Sequence, residues 1–260
     1  IERSLFDNSV LAGVSLTGSY ETASKIRGLI PVETPFQAEL GGKNALIIWK
    51  DADQKKAMEI VKASSFRNNG QICTSCGRLL VHSDIAVEFL TKIREYIAEV
   101  KSDSPDGKLG ILSSEFERDK ITETLVRGKG QYKELVKAPW GSDLFGPTVV
   151  VEPQSSELLN EEIFGPVITF EVIDNLEDAL EKLNRTSYGL TAGIVTQDLT
   201  VAQKFWKSAN AGTIKINTPL TGTPFHVPLE GWGRSGVGGG EGGKSSIEFF
   251  TRRKAVYIKR

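Results

Sequence analysis

NALIIW, residues 44–49, is a short unbroken apolar run, and its reading decides the fold. A strand with one face in water alternates apolar and polar positions, whereas one covered by helices on both faces has no polar side. The run therefore predicts an interior parallel strand. Working outward, LAGVSLT (11–17) reads as a strand feeding a helix in YETASKIRGLI (20–30), and beyond residue 49 a helix carries Ala57, Ile60 and Val61 on one face. Ser83 is expected to cap the clearest helix, in which Ala86, Phe89, Leu90, Ile93, Tyr96, Ile97 and Val100 form one stripe. Two further helices are expected, one from Asn175 with Leu176, Ala179, Leu180 and Leu183 in phase, and one after Asp198 with Ala202, Phe205, Trp206 and Ala209. TAGIVT (191–196) and GTIKIN (212–217) read as strands. Such alternation is the pattern of an α/β fold built on a parallel sheet.

The remaining stretches are less regular. Residues 101–145 read as a loop-rich excursion, and GWGRSGVGGGEGG (231–243) as a turned or mobile loop. The closing SSIEFFTRRKAVYIKR reads as a strand with basic decoration, whose unpaired edge calls for another sheet to cover it.

Charge narrows the partners. Lys plus Arg number 32 against 33 Asp plus Glu, a net charge of −1, so no net basic field exists to attract nucleic acid or anionic lipid. No apolar run approaches the roughly 20 residues of a membrane helix, and IERSLFDNSV at the start is charged where a signal peptide would be apolar. A cytoplasmic protein acting on a small molecule, without nucleic acid or membrane, is expected. The chain begins at Ile1 with its only methionine at Met58, which suggests a piece of something longer.

Four stretches could carry chemistry. NNGQICTSC (68–76) holds both cysteines of the chain. Cys-x-x-Cys occurs in dithiol redox proteins and in half of a zinc site, but His82 and His226 are distant and the ligand count is too low, so no metal is expected. Two buried inert thiols are the plain alternative. The polar, glycine-broken Asn68–Gln71 run instead suits a turn that exposes Cys73 in a cleft as a nucleophile. QAELGGKN (37–44) sets the Glu39 carboxylate before a double glycine, SLTGSYET (15–22) ends a strand in Gly18-Ser19 before a helix, and NEEIFGPV (160–167) places paired carboxylates before an aromatic and a Gly-Pro turn. Each signal is weak alone.

In order, the four resemble the aldehyde dehydrogenase family: Leu16-Thr17-Gly18-Ser19, Glu39-Leu40-Gly41-Gly42-Lys43, Gly70-Gln71-Ile72-Cys73 and Glu161-Glu162-Ile163-Phe164-Gly165-Pro166 match its motifs, with 34 residues from Glu39 to Cys73. NRTSYGLTAGIVT (184–196) and AGTIKIN (211–217) follow as in that family. The resemblance implies an aldehyde dehydrogenase-like α/β catalytic domain with the end of a Rossmann-type cofactor domain, divided as 1–41, 42–246 and a terminal oligomerisation strand at 247–260. It implies NAD or NADP as cofactor, a small aldehyde as substrate, and a homodimer or homotetramer. By the same resemblance Cys73 is the nucleophile that forms a thiohemiacetal and then a thioester, with its own backbone N–H helping to hold the oxyanion. Glu39 is the general base, Glu162 holds the nicotinamide ribose, Phe164 packs near the ring, Leu40 and Gly41 lie close to it, and Gly18 and Ser19 sit under the pyrophosphate. Cys76 is a bystander.

Departures from the family pattern add expectations. The first strands of the cofactor domain are absent, so the isolated 260-residue piece is expected to be catalytically weak. Leu229-Glu230 stands where the family has Phe-Gly, and INTPLTGTPFHVP (216–228) looks most like members that oxidise 2-oxoglutarate semialdehyde (2,5-dioxopentanoate) or related acid semialdehydes. A non-catalytic descendant that keeps the fold for assembly or binding, and a dithiol redox protein, are the competing readings.

Overall fold

All five residues of Asn44–Ile48 (β3) are buried, and alternate side chains enter different cores. The computed structural model describes residues 3–6, 11–101, 109, 111–139 and 144–260. Leu46 and Ile48 pack with Val61, Phe89, Ile93 and Ile97 of two helices on one face. Ala45 and Ile47 pack with Leu176, Ala179, Leu183 and Phe205 of two others on the opposite face. Double coverage explains why this strand has no polar side.

The helices are Gln54–Ser65 (α2) and Ser83–Glu99 (α3) on the first face, and Leu176–Asn184 (α6) and Leu199–Ser208 (α7) on the second. Among the described residues the sheet has seven strands. Their spatial order is Thr213–Ile216 (β10), Thr191–Val195 (β9), β3, Cys76–His82 (β4), Val167–Ile173 (β7), Thr148–Val151 (β6) and Glu134–Lys137 (β5). Every pairing is parallel except that of β5 with β6.

A second sheet joins Val14–Thr17 (β1) in parallel to Phe36–Glu39 (β2) through the helix Tyr20–Arg27 (α1). Late in the chain Gly236–Val237 (β12) returns to pair antiparallel with β2. Tyr188–Gly189 (β8) and Trp232–Gly233 (β11) form a two-stranded ribbon. No helix among the described residues is long and apolar enough to cross a membrane.

The structure differs from the sequence reading in several places. His82, rather than Ser83, caps α3, its Nδ1 accepting from the Asp84 N–H at 3.2 Å. Trp206 lies half in water while its neighbour Phe205 is fully buried, so only part of the α7 stripe faces the core. The expected excursion contains a regular helix, Glu115–Arg127 (α4), capped by Ser114 Oγ. Its periodic signal is faint because only Ile121 and Thr124 are buried along it; residues 102–108, 110 and 140–143 of that excursion lie outside the described residues. A short helix, Ser156–Asn160 (α5), precedes the Glu161-Glu162 pair.

The end of the chain departs most. The strand expected over 247–260 is replaced at its start by the helix Gly243–Phe249 (α8), and residues 251–260 are exposed with no sheet partner among the described residues. β-Branched and aromatic residues form strands only where an edge is offered, and Val256, Tyr257 and Ile258 meet none within one chain.

Two cations lie inside the fold. The Arg78 guanidinium donates to the carbonyls of Lys43 (2.9 Å), Lys182 (2.6 Å) and Leu183 (2.8 Å), the last two near the C-terminal end of α6 where carbonyls lack helical partners. Lys43 Nζ is buried with no hydrogen-bond partner among the described residues. Burial, then Arg78, pushes the Lys43 amine down to about 7, against the pull of Glu162 and Glu171. From about pH 7 up to the ordinary lysine value the unfolded chain holds this proton while the folded chain sheds it, so stability rises with pH across that window. Lys43→Met should remove that slope, which for one group is at most about 1.4 kcal/mol per pH unit. Urea unfolding at pH 7, 8 and 9 measures it, and an unchanged slope in the variant would assign the titration elsewhere.

Candidate active site

The cysteine turn is built from backbone that most residues avoid. Asn68, Asn69 and Gly70 are successive left-handed residues, with φ of 52°, 55° and 68°. Asparagine is among the non-glycine residues that tolerate this region best. Glycine is required at the third place for another reason, because a Cβ there would lie 2.2 Å from the Gly165 carbonyl oxygen. Gln71 then fastens the turn to the segment before α4, its Oε1 accepting from the Ser113 N–H at 2.7 Å and its Nε2 donating to the Ile111 carbonyl at 3.1 Å.

Asn44, at the start of β3, holds the turn from beneath. Its Nδ2 donates to the carbonyls of Cys73 and Ser75, both at 2.8 Å, and its Oδ1 accepts from the Thr191 N–H of β9 at 2.9 Å. Cys73 is left half-buried at the wall of a cavity of about 290 Å³. Gly18, Ser19, Glu39, Leu40, Gly41, Glu162 and Phe164 line the same cavity. All eight residues singled out in the sequence are thus brought together.

The electrostatics separate their roles. Burial, then Glu241, raises the Glu39 carboxyl to about 7, with the backbone N–H groups of Gly231 and Glu241 drawing it back and Glu230 adding to the rise. Its Oε2 has no hydrogen-bond partner among the described residues. Burial also raises the Cys73 thiol, followed by the Glu162 carboxylate; Glu39 adds less, and the N–H groups of Thr74 and of Cys73 itself oppose the shift. Glu162 accepts from the Gly42 N–H at 3.0 Å, and burial raises its carboxyl as well. It fills the space over Gly41, where a Cβ would meet Glu162 Oε2 at 2.0 Å.

Cys76 belongs elsewhere. It sits in the core with Leu46 and Leu79, and burial pushes its thiol up to about 11. With one thiol on the cavity and the other among aliphatic side chains, the dithiol reading has no structural basis. Sequence reasoning missed Asn44, whose role depends on a partner 147 positions away. It also missed Thr17, Glu117 and Lys120, which line the cavity; the latter two lie one turn apart on α4, and only their i, i+3 spacing on one helix face could have signalled it.

A half-buried thiol placed with a buried carboxylate, on an α/β scaffold, is an arrangement suited to cysteine-based acyl chemistry. The aldehyde dehydrogenase family model matches residues 1–256, and the chain belongs to that family. It is 33% identical to the 2,5-dioxopentanoate dehydrogenase of Saccharolobus solfataricus over 95% of this chain and 54% of that protein. PnpE, solved in complex with nicotinamide adenine dinucleotide, superimposes with a TM-score of 0.89 at 30% identity over 96% of this chain and 53% of its own. The NADP-dependent glyceraldehyde-3-phosphate dehydrogenase of Bacillus halodurans C-125, complexed with NADP, gives a TM-score of 0.88 at 27% identity over 96% and 53%. The chain spans about half the length of the relatives it matches.

Two outcomes are expected. Gly70→Ala combines left-handed strain with a backbone clash and should cost roughly 3 kcal/mol or more, whereas Gly130→Ala, at φ 80° with nothing near its Cβ, should cost about 1 kcal/mol; chemical denaturation compares them. Iodoacetamide should label Cys73 well before Cys76, and Glu162→Gln should speed labelling at pH 8 more than Glu39→Gln, because Glu162 raises the thiol more. Mass spectrometry of the labelled peptides reads both.

Proposed function

We propose that the protein oxidises a small aldehyde to the carboxylate with NAD or NADP, through a covalent adduct on Cys73. The observation that carries this is the convergence of thiol, buried carboxylate and the predicted cofactor residues on one cavity. The residues also fit a dinucleotide. Gly41 leaves room for the Glu162 carboxylate, which is suited to ribose hydroxyls, and Gly18 with Ser19, the N-cap of α1, would take the pyrophosphate. Phe164 and Leu40 supply apolar wall for the nicotinamide ring.

The Cys73 thiolate adds to the aldehyde carbon, and the carbonyl oxygen becomes an alkoxide that the Cys73 backbone N–H helps to hold. The dinucleotide, when bound, supplies the hydride acceptor that takes this adduct to the acyl level. Glu39 then removes a proton from water as the oxygen attacks the acyl carbon, and the carboxylate product leaves as sulfur departs. A base whose pKa is near 7 is matched to that task at neutral pH.

The finer assignments rest on the same reading. An acid semialdehyde of the 2,5-dioxopentanoate type is the preferred substrate, supported by the Saccharolobus relative and by the 216–228 loop. Residues 1–41 close a cofactor domain, 42–246 form the catalytic domain and 247–260 serve oligomerisation as a homodimer or homotetramer; the exposed Val256, Tyr257 and Ile258 support the last. Free thiols at both cysteines suit the cytoplasm.

Cys73→Ala should abolish aldehyde-dependent formation of NADH or NADPH. Glu39→Gln should slow turnover by about 10²- to 10⁴-fold while leaving the thiol able to form the adduct. For the unaltered protein the rate should rise through about pH 7 as Glu39 loses its proton, and that limb should vanish in Glu39→Gln. Absorbance at 340 nm follows the reaction, and full turnover by Cys73→Ala would refute the mechanism.

A further inference from the structure

We propose that Arg234 is a positioning residue that holds the start of α1 against the Glu161-Glu162 segment, and so sets the spacing between the two groups of dinucleotide contacts. The inference rests on the cofactor reading above and adds a residue to it. Arg234 does not line the cavity and lies in the glycine-rich loop between β11 and β12.

Its backbone is fixed on several sides. The Arg234 N–H donates to the Ser187 carbonyl at 2.9 Å. Ser235, fully buried, accepts from the Leu40 N–H at 2.9 Å through its carbonyl and from the Gly189 N–H at 3.0 Å through Oγ. Gly236 pairs with Glu39. From that anchor the guanidinium extends between two aromatic rings, its carbon 4.5 Å from the Tyr20 centroid and 5.3 Å from that of Tyr188. One end meets Glu21 at 3.3 Å and the other meets Glu161 at 3.7 Å.

The contacts fall in telling places. Tyr20 and Glu21 directly follow Gly18-Ser19 at the start of α1, and Glu161 directly precedes Glu162. One planar cation therefore spans from the pyrophosphate side of the cavity to the ribose side. Among the described residues this is the only ion pair made by α1. Each contact is small alone, since exposed ion pairs contribute little. Four on one rigid plane, held by a hydrogen-bonded backbone, act together, and a lysine could neither stack on the rings nor fork between the carboxylates.

The test compares unaltered protein, Arg234→Ala, Arg234→Lys, Glu21→Gln and the double variant Arg234→Ala with Glu21→Gln by hydrogen exchange of α1 amides and by calorimetric titration with NAD and NADP. Arg234→Ala should quicken exchange in residues 20–27 while α3 amides keep their rates, and should weaken dinucleotide binding about tenfold to thirtyfold. Arg234→Lys should recover little of either, and Glu21→Gln should add little once Arg234 is gone. The labelling rate of Cys73 should stay within about twofold, which separates a clamp on the cofactor side from general loosening. Unaltered α1 exchange in Arg234→Ala, or full recovery by Arg234→Lys, would overturn the proposal. If the unaltered protein bound neither dinucleotide, the cofactor reading would fall, and the role of Arg234 in binding with it, while α1 exchange would still decide whether the clamp exists.

Discussion

The carboxamide of Asn44 makes three hydrogen bonds on which the site depends. It is buried at the head of β3, it receives the backbone of β9, and it carries the carbonyls on either side of Thr74. A buried amide can satisfy that many partners only if all are present together, so the central strand, its neighbour and the cysteine turn are set in one step. Gly42 belongs to the same constraint, since a Cβ there would stand 2.7 Å from Asn44 Oδ1. The Glu-Leu-Gly-Gly-Lys-Asn run is therefore a joint as much as a site: Glu39 serves chemistry, the glycines make room and Asn44 locks the nucleophile's loop to the sheet.

The charges around that joint oppose one another. Glu39, Glu162 and the Cys73 thiol are each raised by burial, and the Cys73 thiol is raised further by Glu162 and then by Glu39, while Glu39 is raised further by Glu241 and Glu230. Negative charge beside a buried thiol disfavours the thiolate, so the carboxylates and the burial act on Cys73 in the same direction. The Arg78 guanidinium below the site donates to the carbonyls of Lys43, Lys182 and Leu183, and the Lys43 amine, itself held down to about 7, acts against the rise in Glu162. The result is a poised rather than fully ionised nucleophile.

Much of this could be read from the chain. β3 was legible because burial on both faces leaves a mark in every residue, and α6 and α7 because Asn175 and Asp198 cap them with side-chain oxygens at the expected positions. The site residues were legible because their motifs are local. What stayed hidden is non-local: Asn44 bonds to β9, Glu117 and Lys120 belong to a helix whose apolar face is too thin to announce it, and Arg234 acts on residues more than 200 positions away. The terminal segment has no strand partner among the described residues of one chain because β propensity describes what a chain can do once an edge is supplied.

The cavity also lies in an unusual relation to its two sheets. Open parallel sheets bind ligands beyond the carboxyl ends of their strands. The small sheet follows that rule, for Gly18-Ser19 leaves β1 and Glu39 ends β2. The large sheet does the reverse: Gly41-Gly42 leads into β3, Cys73 into β4 and Glu162 into β7. Two consequences follow from facing a carboxyl edge with an amino edge. The nucleophile stands on the loop before β4, and the N–H groups of Cys73 itself and of Thr74 are what oppose the rise of its thiol. The two edges also belong to separate sheets, so their separation is set by what crosses between them: Leu40–Lys43 runs directly from β2 into β3, and Ser235, just before β12, bonds both Leu40 and Gly189.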